Sequence, residues 1–256
     1  MIDLYGMASP NVVKVLIMLE EAGLPYRVKY VDVFRQEQFE PEFQRLSPTG
    51  KVPVILDSEG PDGEPISVFE SGAILLYLAE KTGRLLPTDP RARAGVFQWL
   101  MVQVSLMGPM GGQAVHFNLF APPGNEYAQE RYFSQCANVQ KLLDKRLGEA
   151  PYLGGEDLSL ADVATFPWVY QAVEFFPWLQ DDDGAKLRDG YPNLARWYET
   201  LWKRPAFDRA MSVRAELHNR GRRAGIETDG LDRFYLRGAY SLTPPEARGV
   251  VARYKS

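Results

Sequence analysis

Two short stretches of the chain carry residue types that suit a peptide-like ligand, Lys51-Val52-Pro53 and Glu70-Ser71. A cis bond before Pro53 would leave the N–H and C=O of Val52 outside the sheet, where a peptide can pair with them like an added strand. Glu70 and Ser71 stand where a helix is expected to begin, and N–H groups there attract a carboxylate. The Ser71 hydroxyl adds a polar contact, and the Glu70 carboxylate suits an ammonium. A ligand with a peptide backbone, a carboxylate and an ammonium fits these groups.

A structural explanation of the same residues is equally open at this point. Pro53 fits the first position of a strand, and Ser71 fits the cap of a helix. The spacing alone does not separate ligand binding from these structural roles.

The cysteine and histidine content limits the chemistry further. The chain has one cysteine, Cys136, and two histidines, His116 and His218. It therefore has no intramolecular disulfide and no CxxC motif, and we expect no metal site. Cys136 lies on an apolar helical stripe with Val139 and Leu143, which predicts an inert core residue. Any thiol chemistry must use a thiol that a ligand brings.

The composition is that of an ordinary globular protein. The 256 residues, of which 45% are apolar and 24% charged, allow one large or two small domains. The net charge of −4 argues against non-specific binding of nucleic acid. No apolar run approaches the roughly 20 residues of a membrane helix, so we expect no membrane partner. The N-terminus lacks a basic segment followed by an apolar one, which predicts a cytoplasmic protein without a signal peptide.

Hydrophobic periodicity predicts the order β-α-β-(α)-β-β-α for residues 1–83. The predicted strands lie near 2–4, 26–30, 53–56 and 66–69, and the predicted helices near 12–19 and 71–81, with a short one after Pro41. Gly23 and Gly83 stand where the two main helices should end. A right-handed crossover makes the first two strands parallel, and a turn at 58–65 makes the last two antiparallel. The expected result is a small mixed sheet with helices on its faces.

Strand patterns end at residues 84–89, which we interpret as a linker. Asp89-Pro90 is a typical helix start, with Asp as the cap and Pro in the first turn. Helical patterns then predict an all-helical domain at 90–211. One of its helices is expected to begin at Pro192 and to be broken at Pro205.

The tail, residues 212–256, differs from the rest of the chain. It holds nine basic and five acidic residues, a charge of +4, which leaves −8 for residues 1–211. It is rich in Gly and Arg and shows no long periodic helix. Its 45 residues are too few for an independent core, yet aromatic and leucine side chains occur at 234–236, 240 and 242. We expect the tail to pack over its own chain or a partner subunit, beside the substrate pocket; a solvated extension is the alternative.

Six segments of the sequence resemble the glutathione transferase superfamily. SPTGKVPVILD, which begins at Ser47, and VFESGAILLYLAEKTG, which begins at Val68, resemble its glutathione site. LYGMASPN, QWLMVQVSLMGPMGGQAVHFN, ERY and YLGGEDLSLADVATFPWV resemble the nu class in particular. That class comprises bacterial glutathione-dependent disulfide-bond oxidoreductases and is related to the yeast nitrogen-regulatory prion domain. The resemblance covers about residues 1–210 and not the tail.

This resemblance implies a fold, a co-substrate and an activity. The fold is an α/β thioredoxin-like N-terminal domain followed by an all-α C-terminal domain, and the assembly is a homodimer. The co-substrate is glutathione, present as one molecule, two molecules or one glutathione disulfide per site. The implied activity is glutathione-dependent reduction of disulfide bonds, in which a glutathione thiolate attacks a disulfide sulfur.

The resemblance also implies roles for individual residues. Ser9 and Asn11 are expected to stabilise the glutathione thiolate, since a hydroxyl and an amide N–H that donate to a thiolate lower the pKa of the thiol. The expected glutathione contacts are Gln38, Lys51, Val52, Pro53, Glu70, Ser71 and Arg131, and the expected second-substrate pocket is Gln113, His116 and Phe117. Class members similar to this chain have Thr where Ser9 stands, and the serine keeps the hydroxyl.

Several of these residues keep a structural alternative. Ser9-Pro10-Asn11 also fits a simple helix cap. Arg131 also fits a solvated helix residue, and His116 also fits a structural residue. These roles do not exclude one another at Ser9, where a hydroxyl can both cap a helix and donate.

Two other functions remain open from the sequence. The first is transfer of glutathione to, or its removal from, an aromatic electrophile or thioether, with Gly108–Gly112 as an open segment that admits an apolar substrate. The second is a non-catalytic glutathione-binding module for interactions. The intact Ser9, Asn11, Glu70 and Ser71 argue against the module, since a scaffold need not keep them.

Overall fold

A computed structural model describes residues 1–224 and 228–242. The N-terminal domain is built on a four-stranded sheet of β1 (Ile2–Gly6), β2 (Tyr26–Tyr30), β3 (Val54–Asp57) and β4 (Ile66–Phe69). Across the sheet the order is β2-β1-β3-β4. β1 is parallel to β2 and antiparallel to β3, and β3 is antiparallel to β4. Both predicted strand relations are confirmed.

Helices α1 (Pro10–Ala22), α2 (Pro41–Leu46) and α3 (Ser71–Thr82) complete this domain. α1 ends at Gly23, where φ is 68°, and α3 ends at Gly83, where φ is 67°. A left-handed residue at these two ends favours glycine, because a Cβ is strained there. The predicted order of elements and both predicted helix ends are therefore confirmed.

The remainder of the chain is helical. Its elements are α4 (Pro90–Met101), a π-helical segment (Val102–Met107), α5 (Gly108–Leu119), α6 (Glu126–Glu149), α7 (Leu160–Phe175), α8 (Ala185–Gly190), α9 (Pro192–Trp202), α10 (Pro205–Ala224) and α11 (Thr228–Phe234). Single 3-10 turns lie at Val33–Arg35, Glu37–Phe39 and Gly238–Tyr240. Beyond residue 84, the only β pairing within the described ranges is an isolated bridge between Tyr152 and Gly155. The predicted all-helical C-terminal domain is confirmed.

α1 lies at the junction of the two domains. It packs against α3 on one side and against α7 and α10 on the other. Every residue from Val12 to Leu19 is buried, although the sequence pattern predicts only one apolar face. Two ion pairs tie α1 to the second domain: Arg204 Nε lies 2.7 Å from Glu21 Oε1, and Arg209 Nε lies 2.5 Å from Glu20 Oε2. The domains therefore meet along α1.

One of two expectations about the second domain is wrong. Gly108–Gly112 is not an open segment, because α5 begins at Gly108 and packs closely on α7. A Cβ added at Gly111 would lie 3.0 Å from the Trp168 ring, so the glycine permits this contact. The helix expected to begin at Pro192 does end before Pro205, because α9 stops at Trp202 and Pro205 stands in the first turn of the next helix, α10.

The tail does contain a long helix, contrary to the expectation. α10 runs through position 212, where the tail was expected to begin. The buried residues Phe207, Ala210, Met211 and Leu217 follow a helical spacing across that position. The numerous arginines of this segment obscure the pattern in the sequence. Residues 225–227 and 243–256 of the expected tail lie outside the described residues.

Within residues 1–224 and 228–242, no helix has the length and apolar character needed to cross a membrane. The same residues contain no group of three or more His, Cys, Asp and Glu side chains placed to hold a metal ion.

Candidate functional site

The register of the sheet brings three chain segments to one edge. Tyr5 of β1 pairs with Val54 of β3, and Val54 pairs with Phe69 of β4. The end of β1, the start of β3 and the end of β4 therefore lie side by side. The loop at 7–9 leaves this edge after β1, and the peptide at 52–53 enters it before β3.

The Val52–Pro53 peptide bond is cis, as the sequence suggested. β3 begins only at Val54, so Val52 lies outside the strand ladder. Lys51 is exposed beside it. Gly50, with φ at +58°, allows the chain to pass close to Gln38 and the Phe39 ring. These residues form one wall of the sheet edge.

Glu70 links β4 to α3 in an unusual backbone conformation. Its φ is 67° and its ψ is 116°, outside the regions that a non-glycine residue usually adopts. Such a conformation costs about 1–3 kcal/mol and tends to occur at functional sites. The Glu70 side chain is exposed at the start of α3, and Ser71 is buried as its first residue. A carboxylate and a helix N-terminus thus stand next to each other at the sheet edge.

Ser9 and Asn11 lie at the start of α1, and both make contacts that orient them. Ser9 caps the helix, since its Oγ accepts from the Val12 N–H at 3.4 Å. Asn11 Oδ1 accepts from the indole Nε1–H of Trp168 in α7, at 3.1 Å. Because the oxygen is held by the other domain, the Asn11 amide nitrogen points away from Trp168 and keeps two N–H donors. The Ser9 hydroxyl likewise keeps its proton for donation while it caps the helix.

Lys14, one turn further along α1, contacts Ser71 of this candidate site, which the sequence patterns do not reveal. Its side chain is 1% exposed, and its Nζ donates to Ser71 Oγ at 3.2 Å and to Gln103 Oε1 at 2.5 Å. Burial lowers the pKa of Lys14 to about 7, and the nearby Glu70 opposes that shift. The only sequence signal is a lysine inside the apolar run from Val12 to Leu19.

A cavity of about 520 Å³ lies between the two domains. Ser9 lines it from the loop after β1, and Phe34 lines it from the 3-10 turn at Val33–Arg35. The second domain contributes Phe120, Tyr170 and Arg214. Ser9 therefore belongs both to the sheet edge and to the cavity.

The residues expected to form the second-substrate pocket do not line this cavity. Gln113, His116 and Phe117 lie elsewhere on α5, whereas Val115 and Leu119 of the same helix line it. Gln113 is exposed. The His116 ring packs against Tyr235 at a centroid distance of 4.5 Å, and Phe117 stacks on Tyr132 at 5.5 Å. His116 thus fits the structural alternative.

The other expected glutathione contacts divide into two groups. Gln38 is buried, and its Oε1 has no hydrogen-bond partner among the described residues. Arg131 is exposed on α6, and among the described residues no hydrogen bond or ion pair joins it to the first domain. The structure therefore brings Gln38, the 51–53 segment and Glu70-Ser71 to the sheet edge, while Arg131 stays apart.

The described part of the tail packs over the body of its own chain. Phe234 contacts Phe34 at a ring-centroid distance of 5.3 Å, and Tyr235 contacts Phe120 at 5.3 Å. Arg237 also donates to the backbone carbonyl of Phe120. Phe34 and Phe120 line the cavity from different domains, so the tail supports both walls from outside.

We expect a chain that ends at Ala224 to lose part of this support. Removing the Phe234 and Tyr235 contacts should cost roughly 1–3 kcal/mol, equivalent to a fall of roughly 2–8 °C in Tm. The KM of a bulky second substrate should rise severalfold, while the KM of the ligand at the sheet edge stays unchanged. Calorimetry and steady-state kinetics measure the two effects.

Leu242→Ser offers a matched control for this truncation, because Leu242 is 82% exposed. It should leave both Tm and KM as in the wild type. A truncated chain with unchanged Tm and unchanged kinetics would mean that residues 225–256 are a solvated extension.

The cis peptide and the helix start at Glu70-Ser71 form a candidate site for a peptide-like ligand at the sheet edge, and Ser9 joins this edge to the interdomain cavity. The family model for the glutathione S-transferase N-terminal domain matches residues 8–81, and the model for the C-terminal domain matches residues 126–200. The chain belongs to the glutathione S-transferase family.

Individual relatives and solved structures show which members of the family this chain resembles. The chain is 46% identical over 218 residues to the disulfide-bond oxidoreductase YfcG of Escherichia coli K12, covering 85% of this chain and 97% of that protein. A glutathione transferase family member from Pseudomonas fluorescens, solved with two glutathione bound, is 42% identical with a TM-score of 0.76, over 82% of this chain and 91% of that one. A glutathione transferase from Pseudomonas putida, solved with one glutathione disulfide per subunit, is 38% identical with a TM-score of 0.73, over 82% and 90%.

Proposed function

We propose that this protein reduces disulfide bonds with glutathione as the thiol donor. The observation that carries the proposal is the position of Ser9, which belongs to both the sheet edge and the 520 Å³ cavity. A glutathione bound along the edge would present its sulfur at Ser9, and a second thiol or disulfide would fit the cavity. The solved relatives that hold two glutathione molecules or one glutathione disulfide support this arrangement.

The groups at the sheet edge suit the successive parts of glutathione. The Val52 N–H and C=O, outside the ladder, suit the cysteinyl backbone. Glu70 and Ser71 suit the ammonium and the carboxylate of the γ-glutamyl end. Gln38 and Lys51 suit the glycyl end. The buried Gln38 Oε1 supports this, since it lacks a partner among the described residues and a ligand N–H would satisfy it.

The role proposed for Arg131 is electrostatic attraction of a ligand carboxylate over some distance. It is an exposed cation on α6, and no described contact joins it to the sheet edge. We propose that it attracts the carboxylate of a ligand in the cavity through charge rather than through a fixed hydrogen bond.

The chemistry needs no thiol from the protein. The Ser9 hydroxyl and the Asn11 amide donate to the glutathione sulfur and stabilise its thiolate. The thiolate attacks one sulfur of the disulfide, forms a mixed disulfide and releases the other sulfur as a thiolate, which takes up a proton. A second glutathione thiolate then attacks the mixed disulfide. Two glutathiones are oxidised to glutathione disulfide, and one substrate disulfide is reduced to two thiols.

A second activity is favoured by the apolar lining of the cavity. Met7, Phe34, Leu119 and Phe120 present hydrophobic side chains there. Such a lining suits an aromatic electrophile or thioether, to which glutathione is transferred or from which it is removed. We therefore propose this as the second candidate reaction of the same site.

Turnover of glutathione with a small symmetric disulfide, coupled to glutathione reductase, tests the proposal. The expected result is retention on immobilised glutathione together with turnover above the uncatalysed rate. Retention without turnover on disulfides, aromatic electrophiles or thioethers would instead identify a non-catalytic binding module.

We expect Cys136→Ser to keep most of this activity. Cys136 is 5% exposed, and burial raises the pKa of its thiol to about 12, so it stays protonated at neutral pH. The variant should lose about 1–3 kcal/mol of stability because it buries a hydroxyl, and Cys136→Ala separates that cost from any chemical role. Abolished turnover in a folded Cys136→Ala variant would mean that a protein thiol takes part.

We further infer a cytoplasmic homodimer. In the family, the first domain of one subunit contacts the second domain of the other, as the resemblance implies. Light scattering at micromolar concentration should give twice the chain mass of 28.9 kDa. A mass equal to one chain would contradict this inference.

A further inference from the structure

Lys14 is a buried cation that the proposed chemistry does not use. Its Nζ contacts Ser71 Oγ of α3 at 3.2 Å, Gln103 Oε1 of the π-helical segment at 2.5 Å, and lies 6.0 Å from the centroid of the Trp168 ring in α7. Removing an ammonium from water is costly, and a well-packed apolar side chain of similar volume often serves stability as well or better. Stability alone therefore does not account for a lysine at this position.

The contact with Ser71 gives the lysine a role. A hydroxyl has one donor and two acceptor sites. Because the Lys14 ammonium donates to Ser71 Oγ from the inside, the Ser71 proton is free to donate outward at the start of α3. The ammonium charge also adds to the positive end of the α3 dipole. Both effects favour a carboxylate at that helix start.

We propose that Lys14 is a positioning residue for the carboxylate of the γ-glutamyl end of glutathione, which it acts on through the Ser71 hydroxyl. The inference rests on the proposed function, in which Ser71 meets that carboxylate. It adds a residue that does not touch the ligand and that links carboxylate binding to the interior of the domain junction.

The charge of Lys14 changes near neutral pH. Burial is the main cause of its lowered pKa, about 7, and the Glu70 carboxylate opposes the shift. The groups that face it are Ser71 of α3, Glu70 directly before α3, Gln103 of the π-helical segment and Trp168 of α7. Among these described neighbours only Glu70 is titratable. The preference for a carboxylate should therefore be strongest below pH 7 and decline as the pH rises through 7.

A pair of ligands isolates this effect. S-methylglutathione carries the γ-glutamyl carboxylate, and the analogue with 4-aminobutyrate in place of the γ-glutamate lacks it. The analogue is also S-methylated, so neither ligand has a free thiol. We expect the wild type to bind S-methylglutathione at least about tenfold more tightly, the usual size of a hydrogen bond to a charged group. Lys14→Met should remove most of this preference and leave the Kd of the analogue nearly unchanged.

A double-mutant cycle with Ser71→Ala shows whether Lys14 acts through the hydroxyl. Lys14→Met should weaken S-methylglutathione binding about tenfold in the wild-type background and less than about twofold when Ser71 is already alanine. Equal weakening of both ligands, or full additivity with Ser71→Ala, would overturn the role of Lys14. A wild type without any preference between the ligands would overturn the proposed Ser71 site itself, and with it the inference.

Gln103→Glu keeps the test decisive if Lys14→Met does not fold. A carboxylate 2.5 Å from the ammonium would raise the pKa of Lys14, while the side-chain volume stays the same. The pH at which the carboxylate preference declines should then move above its wild-type value, measured by calorimetry between pH 6 and 8. An unmoved midpoint in this variant, or a wild-type preference that does not vary with pH, would also overturn the inference.

Discussion

Asn11→Asp should lower kcat/KM for disulfide reduction by at least about 100-fold. In the wild type, Asn11 Oδ1 accepts from the indole N–H of Trp168 at 3.1 Å. The variant keeps an oxygen that can accept this hydrogen bond, so the contact between the two domains is retained. It replaces the amide N–H donors with a second oxygen, which carries negative charge near the position proposed for the glutathione sulfur. Loss of a hydrogen bond to a charged group costs about 1.5–3 kcal/mol, and each 1.36 kcal/mol is tenfold in rate. Charge repulsion adds to that loss.

The pH profile of the reaction distinguishes this cause from general damage. If Asn11 stabilises the thiolate, Asn11→Asp should raise the pKa of the bound thiol and move the rising limb of the kcat profile to higher pH. Asn11→Ala should lose about tenfold to a hundredfold, without the repulsion. Trp168→Phe is the matched control, since it removes the indole N–H but leaves the Asn11 donors, and its loss should be much smaller. An Asn11→Asp enzyme with the wild-type rate and profile would show that the thiolate donors lie elsewhere.

Asp162→Ala should lower the free energy of unfolding by about 3–5 kcal/mol. The Asp162 carboxylate is fully buried and accepts from the backbone N–H of Leu153 at 2.9 Å and from the indole of Trp197 at 2.8 Å. It also accepts from the N–H and the hydroxyl of Ser159, at 3.0 and 2.8 Å. One side chain thus joins the start of α7, the loop before it and α9. Alanine would leave several buried donors without a partner.

Urea unfolding at pH 7 measures this loss, with an unchanged m-value as the sign that only stability has moved. Asp162→Asn should fall between alanine and the wild type, because it keeps one acceptor oxygen and turns the other position into a donor that faces Ser159. Ser159→Ala should cost only about 1 kcal/mol, the usual value of a helix cap. A loss below 1 kcal/mol for Asp162→Ala would show that the loop and α9 are held by packing alone.

Local patterns predict the elements of this fold well, because the signals that set them are local. Asp89-Pro90 predicts the start of α4, and the Asp89 carboxylate does accept from the Ala92 N–H at 2.9 Å. Ser159 and Asp162 form a capping box at the start of α7, and their spacing of three residues is the usual local signal for one. The sheet order follows from handedness and turn length. The motif at 51–53 and 70–71 likewise predicts which segments meet at the sheet edge.

Features that depend on how helices face one another were not predictable in this way. The rotation of α5 about its axis directs Val115 and Leu119 to the cavity and His116 to Tyr235, and local periodicity does not fix that rotation. Lys14 looks like an interruption of an apolar face until α3 and the π-helical segment supply its partners. The packing of Tyr235 depends on a contact more than 100 residues away in sequence.

The burial of Cys136 determines whether the protein itself must be reduced after each reaction cycle. A chain with one thiol, 5% exposed and protonated at neutral pH, is not consumed as an electron carrier. In the proposed reaction the oxidised product is a small diffusible molecule rather than the protein. No separate reductase then has to bind this chain to reduce it again, so its surface needs no docking site for such a partner. Oxidants and alkylating agents that disable dithiol reductases should leave it working, with its output limited by the cellular supply of reduced glutathione.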